Sequence, residues 1–389
     1  MNEITELAIN SVQKATKSFC KFISANDAGS TGAHQSGYYI PKNAFSLLFG
    51  QPGVKGSNME RFVTIKWQND FETSSRFIYY GTGTRNEYRV TRFGRGFPYL
   101  SDDNVGNLLI ISHIIDDYYE AFILETDEDF ETFFAAFNID ASETNKLILK
   151  TNEITIEDNL LNCFQAFIMT LNKKFPATYL MAENARRCYN TSYNITINAI
   201  RLNPDRNLLK WLESEFELFK TLENSVYAER IERLFSNVEE LVAFANTILN
   251  RRKSRAGKSL EYHLEEIFKC FNLNFNTQIV TEGNKKPDFI FPNAESYHNP
   301  EFDERKLTFL ASKTTCKDRW RQIINEADRI ETKHLFTLQQ GISTNQLNEM
   351  AQHHVKLVVP APYIRTFPEK FRSEIMSLEQ FVTHVKHNQ

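Results

Sequence analysis

The chain has 389 residues, 41% of them hydrophobic, which is enough apolar mass for two domains that each bury a core. Its formal net charge of −4 excludes polyanion binding by bulk charge, so any nucleic-acid surface has to come from local clusters of Lys and Arg. Five scattered cysteines without a CxxC pair point to reduced thiols and away from zinc. The N-terminus has no secretory h-region and the most apolar window, 108–115, is too short for a bilayer, so a soluble cytoplasmic protein with no membrane partner is expected.

Short apolar runs alternate with turn residues through the first half. Strands are predicted at 62–67, 76–80, 108–111 and 120–124, punctuated by Gly81, Gly83, Gly94, Gly96 and Pro98. That pattern describes a mainly antiparallel barrel ending near residue 160. Pro176 and the Asn/Thr-rich stretch 190–198 mark a connector. Residues 207–250 read as helical, with a cap at Ser236-Asn237 and apolar positions at Leu241, Phe244, Ala245 and Ile248. Gly257 is expected to break the chain before a helix carrying Leu260, Leu264, Ile267, Phe268 and Phe271. Strands follow at 278–280, 288–291, 307–314, 334–338 and 356–359 with helices between them, an α/β/α sandwich around a short mixed sheet. The expected division is a domain at 1–165, a connector at 166–205 and a second domain at 206–389.

Chemistry gathers in the second domain. Asp288 opens the run Phe289-Ile290-Phe291, and Lys313 closes the run 307–312. Neighbouring strands would set this carboxylate and ammonium together at a sheet edge, the pair that Mg²⁺-dependent phosphodiester cleavage requires. Acid–base help alone gives about 10²–10⁴-fold, far below the roughly 10¹⁵-fold that very slow phosphate esters demand, so a hard cation on oxygen ligands is needed. The residue two before Lys313 is Ala311, so the strand itself offers no second acid. Apolar residues from Trp320 to Ile330 recur at helical spacing, and a helix over 318–333 would let Glu326 supply the missing carboxylate. Glu261 on the preceding helix is the third metal-ligand candidate, with Glu265 one turn on as its alternative. Cys316 has no histidine base beside it and reads as packing. Lys317, Asp318 and Arg319 mix donors and acceptors suited to guanine and cytosine edges. Arg251, Arg252, Lys253, Arg255 and Lys258 form a cationic run suited to phosphates. Two polar loops, 21–34 and 85–95, each carry hydrogen-bonding side chains.

The Asp288…Lys313 arrangement resembles the PD-(D/E)xK nuclease core. Residues 313–328, 281–289 and 251–261, with 24–41, 84–87 and 92–96 near the N-terminus, resemble the EcoRII family of type II restriction endonucleases. The resemblance covers both ends of the chain and is weaker between 102 and 235. It implies an N-terminal B3-like pseudobarrel that binds an effector copy of DNA, and a C-terminal α/β/α restriction-endonuclease core in a symmetric homodimer. It further implies a type IIE enzyme of a restriction–modification system, cutting CCWGG with Mg²⁺, without a nucleotide cofactor. Catalysis would then rest on Asp288, Lys313, Glu326 and Glu261. The effector arms would use Lys21, Ser24, Asn26, Asp27 and His34 on one side, and Arg85, Asn86, Glu87, Arg89 and Arg92 on the other. Ala311 leaves a rival open: a non-cleaving, sequence-specific DNA-binding regulator on a degenerate nuclease fold.

Overall fold

The computed structural model describes residues 2–29, 37–148 and 158–389. The chain opens with helix α1 (Glu3–Lys14), capped by the Asn2 side chain. Strands β1 (Lys17–Phe22), β2 (Tyr38–Ile40), β3 (Met59–Trp67), β4 (Phe71–Tyr80), β5 (Glu87–Thr91), β6 (Leu108–Ile115) and β7 (Tyr118–Leu124) follow. Helix α2 (Asp127–Phe137) and strand β8 (Lys146–Ile148) complete the first domain. These strands form one eight-stranded sheet in the order β2-β5-β4-β3-β7-β6-β1-β8. Among the described residues only β3 with β7 pairs in parallel, as the mainly antiparallel expectation has it, and β2 and β8 stand at the two edges of the sheet. The expected end near residue 160 falls at the border of residues 149–157, which lie outside the described residues.

Period-2 alternation divides the side chains of β6 between two cores. Leu109 and Ile111 join Ile65, Trp67 and Tyr38 inside the curled sheet. Leu108 and Ile110 face the other way, toward α1, α2 and the second domain, in a cluster that runs through Phe130 to Leu264, Phe289 and Phe381. The two domains therefore share an apolar seam.

Residues expected to be a connector are instead helical: α3 (Asp158–Thr170), α4 (Thr178–Ser192) and α5 (Ile197–Leu202). Phe164, Met181, Ala185 and Cys188 pack there against Leu218, Phe219 and Leu222 of α6 (Pro204–Ile231), so the segment has a core of its own. Cys163 and Cys188 form a disulfide with Cα atoms 5.6 Å apart, which corrects the expectation of five reduced thiols; Cys20, Cys270 and Cys316 are free and buried. Gly257 does not break the chain either. Helix α7 (Val238–Cys270) runs straight through it, because burial of Leu260, Leu264, Ile267 and Phe268 outweighs the ~1 kcal/mol that one helical glycine costs.

The second sheet contains β9 (Asn276–Thr277), β10 (Phe289–Phe291), β11 (Thr308–Lys313), β12 (Lys333–Thr337) and β13 (Val355–Val358) in the order β13-β12-β11-β10-β9. β9 and β10 pair antiparallel with their neighbours, and β11, β12 and β13 run parallel. One face packs on α7 and α10 (Leu378–Asn388). The other packs on Trp320, Ile323 and α9 (Thr344–Gln352), while the short α8 (Ala294–His298) follows β10. This is the expected layered core.

The predicted helix over 318–333 is a correction. Only Arg319–Ile323 forms a 3₁₀ turn; the chain then reverses at Ala327, whose φ is 53°. Trp320, Ile323, Ala327 and Ile330 are buried as their spacing suggests, but from a winding segment. Buried Lys333 holds it, its ammonium donating to Ala327 O at 2.6 Å and to Ile330 O.

Candidate active site and nucleic-acid interface

Antiparallel pairing of Phe289 with Leu310 brings the start of β10 beside the end of β11. One Asp288 carboxylate oxygen accepts from the Ser312 backbone N–H at 2.8 Å, and Lys313 Nζ lies 3.8 Å from that same oxygen. The other accepts from Gln278 Nε2 at 3.0 Å. Gln278 adopts a φ of 53°, and neither it nor Ser312 carried a sequence signal; their role follows only from register. Ala311 is buried in the apolar cluster of Trp320 and Ile323, so its position belongs to the core.

Glu326 and Glu261 sense the same centre. Burial raises the Glu326 carboxyl above its ordinary range; Lys313 opposes the rise and the like charge of Asp288 adds to it. Burial also raises Glu261, opposed by its 2.6 Å bond to Lys258, with Asp288 again adding to the rise. Glu265 points elsewhere: it pairs with Lys269 at 2.6 Å and lines a separate cleft with Tyr262 and Arg186. Of the two alternatives, Glu261 is therefore the one that shares a cavity with Lys313. Among the described residues no three His, Cys, Asp or Glu side chains lie close enough together to hold a metal ion.

That cavity measures about 290 Å³, and its roof is the first domain: Glu131, Phe134, Ala135 and Asn138, on or just after α2, face Glu261, Lys313 and Arg319. The residues expected to read bases are engaged in the same contact. Asp127, at the start of α2, accepts backbone N–H bonds from Lys317 (3.3 Å), Asp318 (2.8 Å) and Arg319 (3.2 Å). The Lys317 ammonium is buried against Asn107 and Val105 O, and Arg319 pairs with Glu131.

The cationic run, expected to touch phosphates, makes contacts within the protein in this structure, although Lys253 and Lys258 remain exposed. Arg252 chelates Glu223, at 2.7 Å to the nearer oxygen, and donates to Ala135 O at 2.8 Å. Arg255 stacks on Phe216 and Phe219 and lies 3.8 Å from Asp140. Arg251 covers the ring of Phe175 at 4.1 Å. Lys253 reaches Thr132 of α2 at 3.0 Å.

The two polar loops of the first domain divide by burial. Lys21 and Asp27 form a buried pair at 2.6 Å, and buried Arg89 bonds Glu87 (3.3 Å) and Gly37 O (3.1 Å). These three brace the loops and have no exposed tip to offer bases. Ser24, Asn26 and Glu87 are half-buried along one cleft, whereas Arg85, Asn86 and Arg92 are exposed. His34 lies outside the described residues.

A layered α/β core with Asp288 and Lys313 at the ends of adjacent strands, joined to an open β-domain, defines a nuclease of the restriction-endonuclease type. Residues 219–382 match the family model described as EcoRII C terminal, and 12–146 the one described as restriction endonuclease EcoRII, N-terminal. The type II restriction enzyme EcoRII of Escherichia coli is 36% identical over 386 residues, covering 94% of this chain and 93% of its own. Solved structures similar to part of the chain include metal-depleted Ecl18kI with uncleaved, modified DNA (19% identity, 58% of this chain, 83% of that one, TM-score 0.45). The PspGI–substrate DNA complex is another (16% identity, 55% and 93%, TM-score 0.44). The chain belongs to the EcoRII family of type II restriction endonucleases and is a site-specific deoxyribonuclease.

Proposed function

We propose that this enzyme cuts both strands of a short palindrome, CCWGG by resemblance, as a symmetric homodimer in the cytoplasm, with a second copy of the site bound by the first domain as effector. The observation that carries the cleavage site is the Asp288–Lys313 pair, fixed at the sheet edge by the Ser312 N–H. The donor set suits a hard cation: Asp288, Glu326 and Glu261 offer only carboxylate oxygens, and a cation offsets the burial that raises the two glutamates and the repulsion from Asp288 that adds to it. These three do not lie close enough together in this structure to hold the ion, so its binding requires them to close; bound there, it would supply a water of lowered pKa and offset charge at phosphorus.

The chain's own residues do the rest. Ser312 and Gln278 fix both oxygens of Asp288, so the carboxylate needs no reorientation when DNA arrives. Lys313 presents its ammonium toward the scissile phosphate and the attacking water, which it orients for in-line displacement. Lys317, Asp318 and Arg319 read base edges once released from Asp127. Such release is what an effector duplex has to achieve, since Asp127 at the start of α2 covers the backbone of 317–319.

A plasmid digest with Mg²⁺ tests the reading, using substrates with none, one or several CCWGG sites. Discrete fragments only from site-bearing plasmids, faster with several sites and lost in Lys313→Ala, are expected. Binding without cutting by the wild-type chain would sink the nuclease reading in favour of a regulator.

A further inference from the structure

The cleft beside the effector loops has a second wall that neither loop supplies. It measures about 610 Å³; on one side are Ser24, Asn26 and Glu87, and on the other Tyr363, Arg365 and Arg372 of the catalytic domain. The two walls are joined by a backbone bond, Ala25 N–H to Thr366 O at 3.0 Å. None of the residues lining this cleft lines the cavity of Lys313.

The cations on the two walls differ in kind. On the loop side Lys21 is neutralised by Asp27 at 2.6 Å, and Glu87 is acidic. On the catalytic side Arg365 is exposed and makes neither a hydrogen bond nor an ion pair among the described residues. Arg372 is half-buried; its Nε donates to Phe367 O at 2.9 Å, its terminal nitrogens have no partner among the described residues, and it makes no ion pair there. Arg365 is close enough to Tyr39 to hold down that phenol's pKa against burial. Unpaired guanidinium groups facing half-buried polar side chains across a cleft make a phosphate site on one wall and a base-reading surface on the other.

We propose that Arg365 and Arg372 of the catalytic domain bind backbone phosphates of the effector duplex, completing a site that the first domain supplies only in part. The inference rests on the effector reading given above. The cleft admits a short stretch of one sugar-phosphate strand, with Ser24 and Asn26 toward the bases. A duplex seated there touches both domains at once and bears on the Ala25–Thr366 bond between them. Because phosphates carry no sequence, the arginines add affinity for any duplex, and discrimination stays with the loops.

The test uses the full chain in EDTA, where nothing is cut, and measures the affinity of a fluorescent one-site duplex by anisotropy at several salt concentrations. The variants are Arg365→Ala, Arg372→Ala, the double variant, Arg365→Lys, and Asn26→Ala with Arg85→Ala as a loop-side reference. Each lost phosphate contact makes the slope of log affinity against log salt shallower by about 0.9. The double variant is expected to weaken cognate and scrambled duplexes by the same factor and to flatten the slope by about 1.8, and Arg365→Lys to restore most of its share. Thermal unfolding at the wild-type temperature shows that the variants are folded. Wild-type affinity and slope in the double variant overturn the proposal while leaving the effector site intact. Binding unaffected by Asn26→Ala with Arg85→Ala removes the effector site itself, and the role of both arginines with it.

Discussion

Replacing Asp127 with alanine removes the one carboxylate that accepts three consecutive backbone N–H groups, from Lys317, Asp318 and Arg319 at 3.3, 2.8 and 3.2 Å. Asp127 is 1% exposed, so the orphaned donors lie where water replaces the lost acceptor poorly. Taking about 1 kcal/mol net for each bond gives roughly 3 kcal/mol, a conservative figure for a charged acceptor. A bias of that size shifts the ratio of closed to open molecules by about 10²-fold. The assay is the initial cleavage rate of a one-site plasmid, with and without added effector duplex. The unstimulated rate of Asp127→Ala should rise between 10- and 100-fold, and the stimulation by effector should shrink by the same factor. An unstimulated rate equal to the wild type's, in a variant that unfolds at the wild-type temperature, would refute the reasoning: covering of 317–319 by α2 would not then limit turnover.

Lys313→Ala should lower the cleavage rate by at least 10² while leaving duplex affinity in EDTA within about twofold, read by single-turnover kinetics and anisotropy. Glu261→Gln should raise the Mg²⁺ concentration for half-maximal rate by about tenfold, whereas Glu265→Gln, turned into another cleft, should leave it unchanged; the reverse order would move the metal site one helical turn. Glu143 offers a pH test. Burial, with Asp140 adding, raises its pKa to about 8, so the folded chain holds a proton there that the unfolded chain releases near pH 4.5. The contribution of Glu143 is then fully favourable below about pH 4.5, falls as pH rises toward 8, and is lowest above that. Glu143→Gln should raise stability at pH 7 by on the order of 2 kcal/mol and flatten that slope, as measured by denaturant unfolding between pH 5 and 8.5.

Local chemistry made one part of this molecule readable. The unbroken apolar run 108–111 located a strand buried on both faces, and Asp288 and Lys313 stand side by side because each is at the end of a strand that its apolar run announces. Misreadings came where a tertiary partner decides between local alternatives. Residues 318–333 carry helical spacing, yet the chain turns at Ala327 because buried Lys333 takes two of its carbonyls, and a lysine in a sequence does not show what it will bond. Gly257 reads as a breaker until the weight of apolar side chains beyond it is known. Pro176 and the polar stretch after it suggested a connector, although Phe164 and Met181 had α6 to pack against.

The cations fall in a third class, where sequence reasoning found residues that attract negative charge and could not say whose. Arg319, Lys253, Arg252 and Arg255 meet Glu131, Thr132, Ala135 O and Asp140, all supplied by α2 and the turn that follows it. Each of these acceptors is oxygen, as the phosphates of a duplex are, so the same side chains satisfy the closed enzyme and are suited to an open, DNA-bound one. DNA has to compete with oxygens already in place, two of them carboxylate, and it gains over them mainly through counterion release, which weakens as salt rises. Opening should therefore be the salt-sensitive step. Raising salt should slow the effector-free wild type far more than Asp127→Ala, in which part of the opening cost is gone. Equal salt dependence in the two proteins would mean that the interdomain contacts and the DNA contacts do not compete for the same groups.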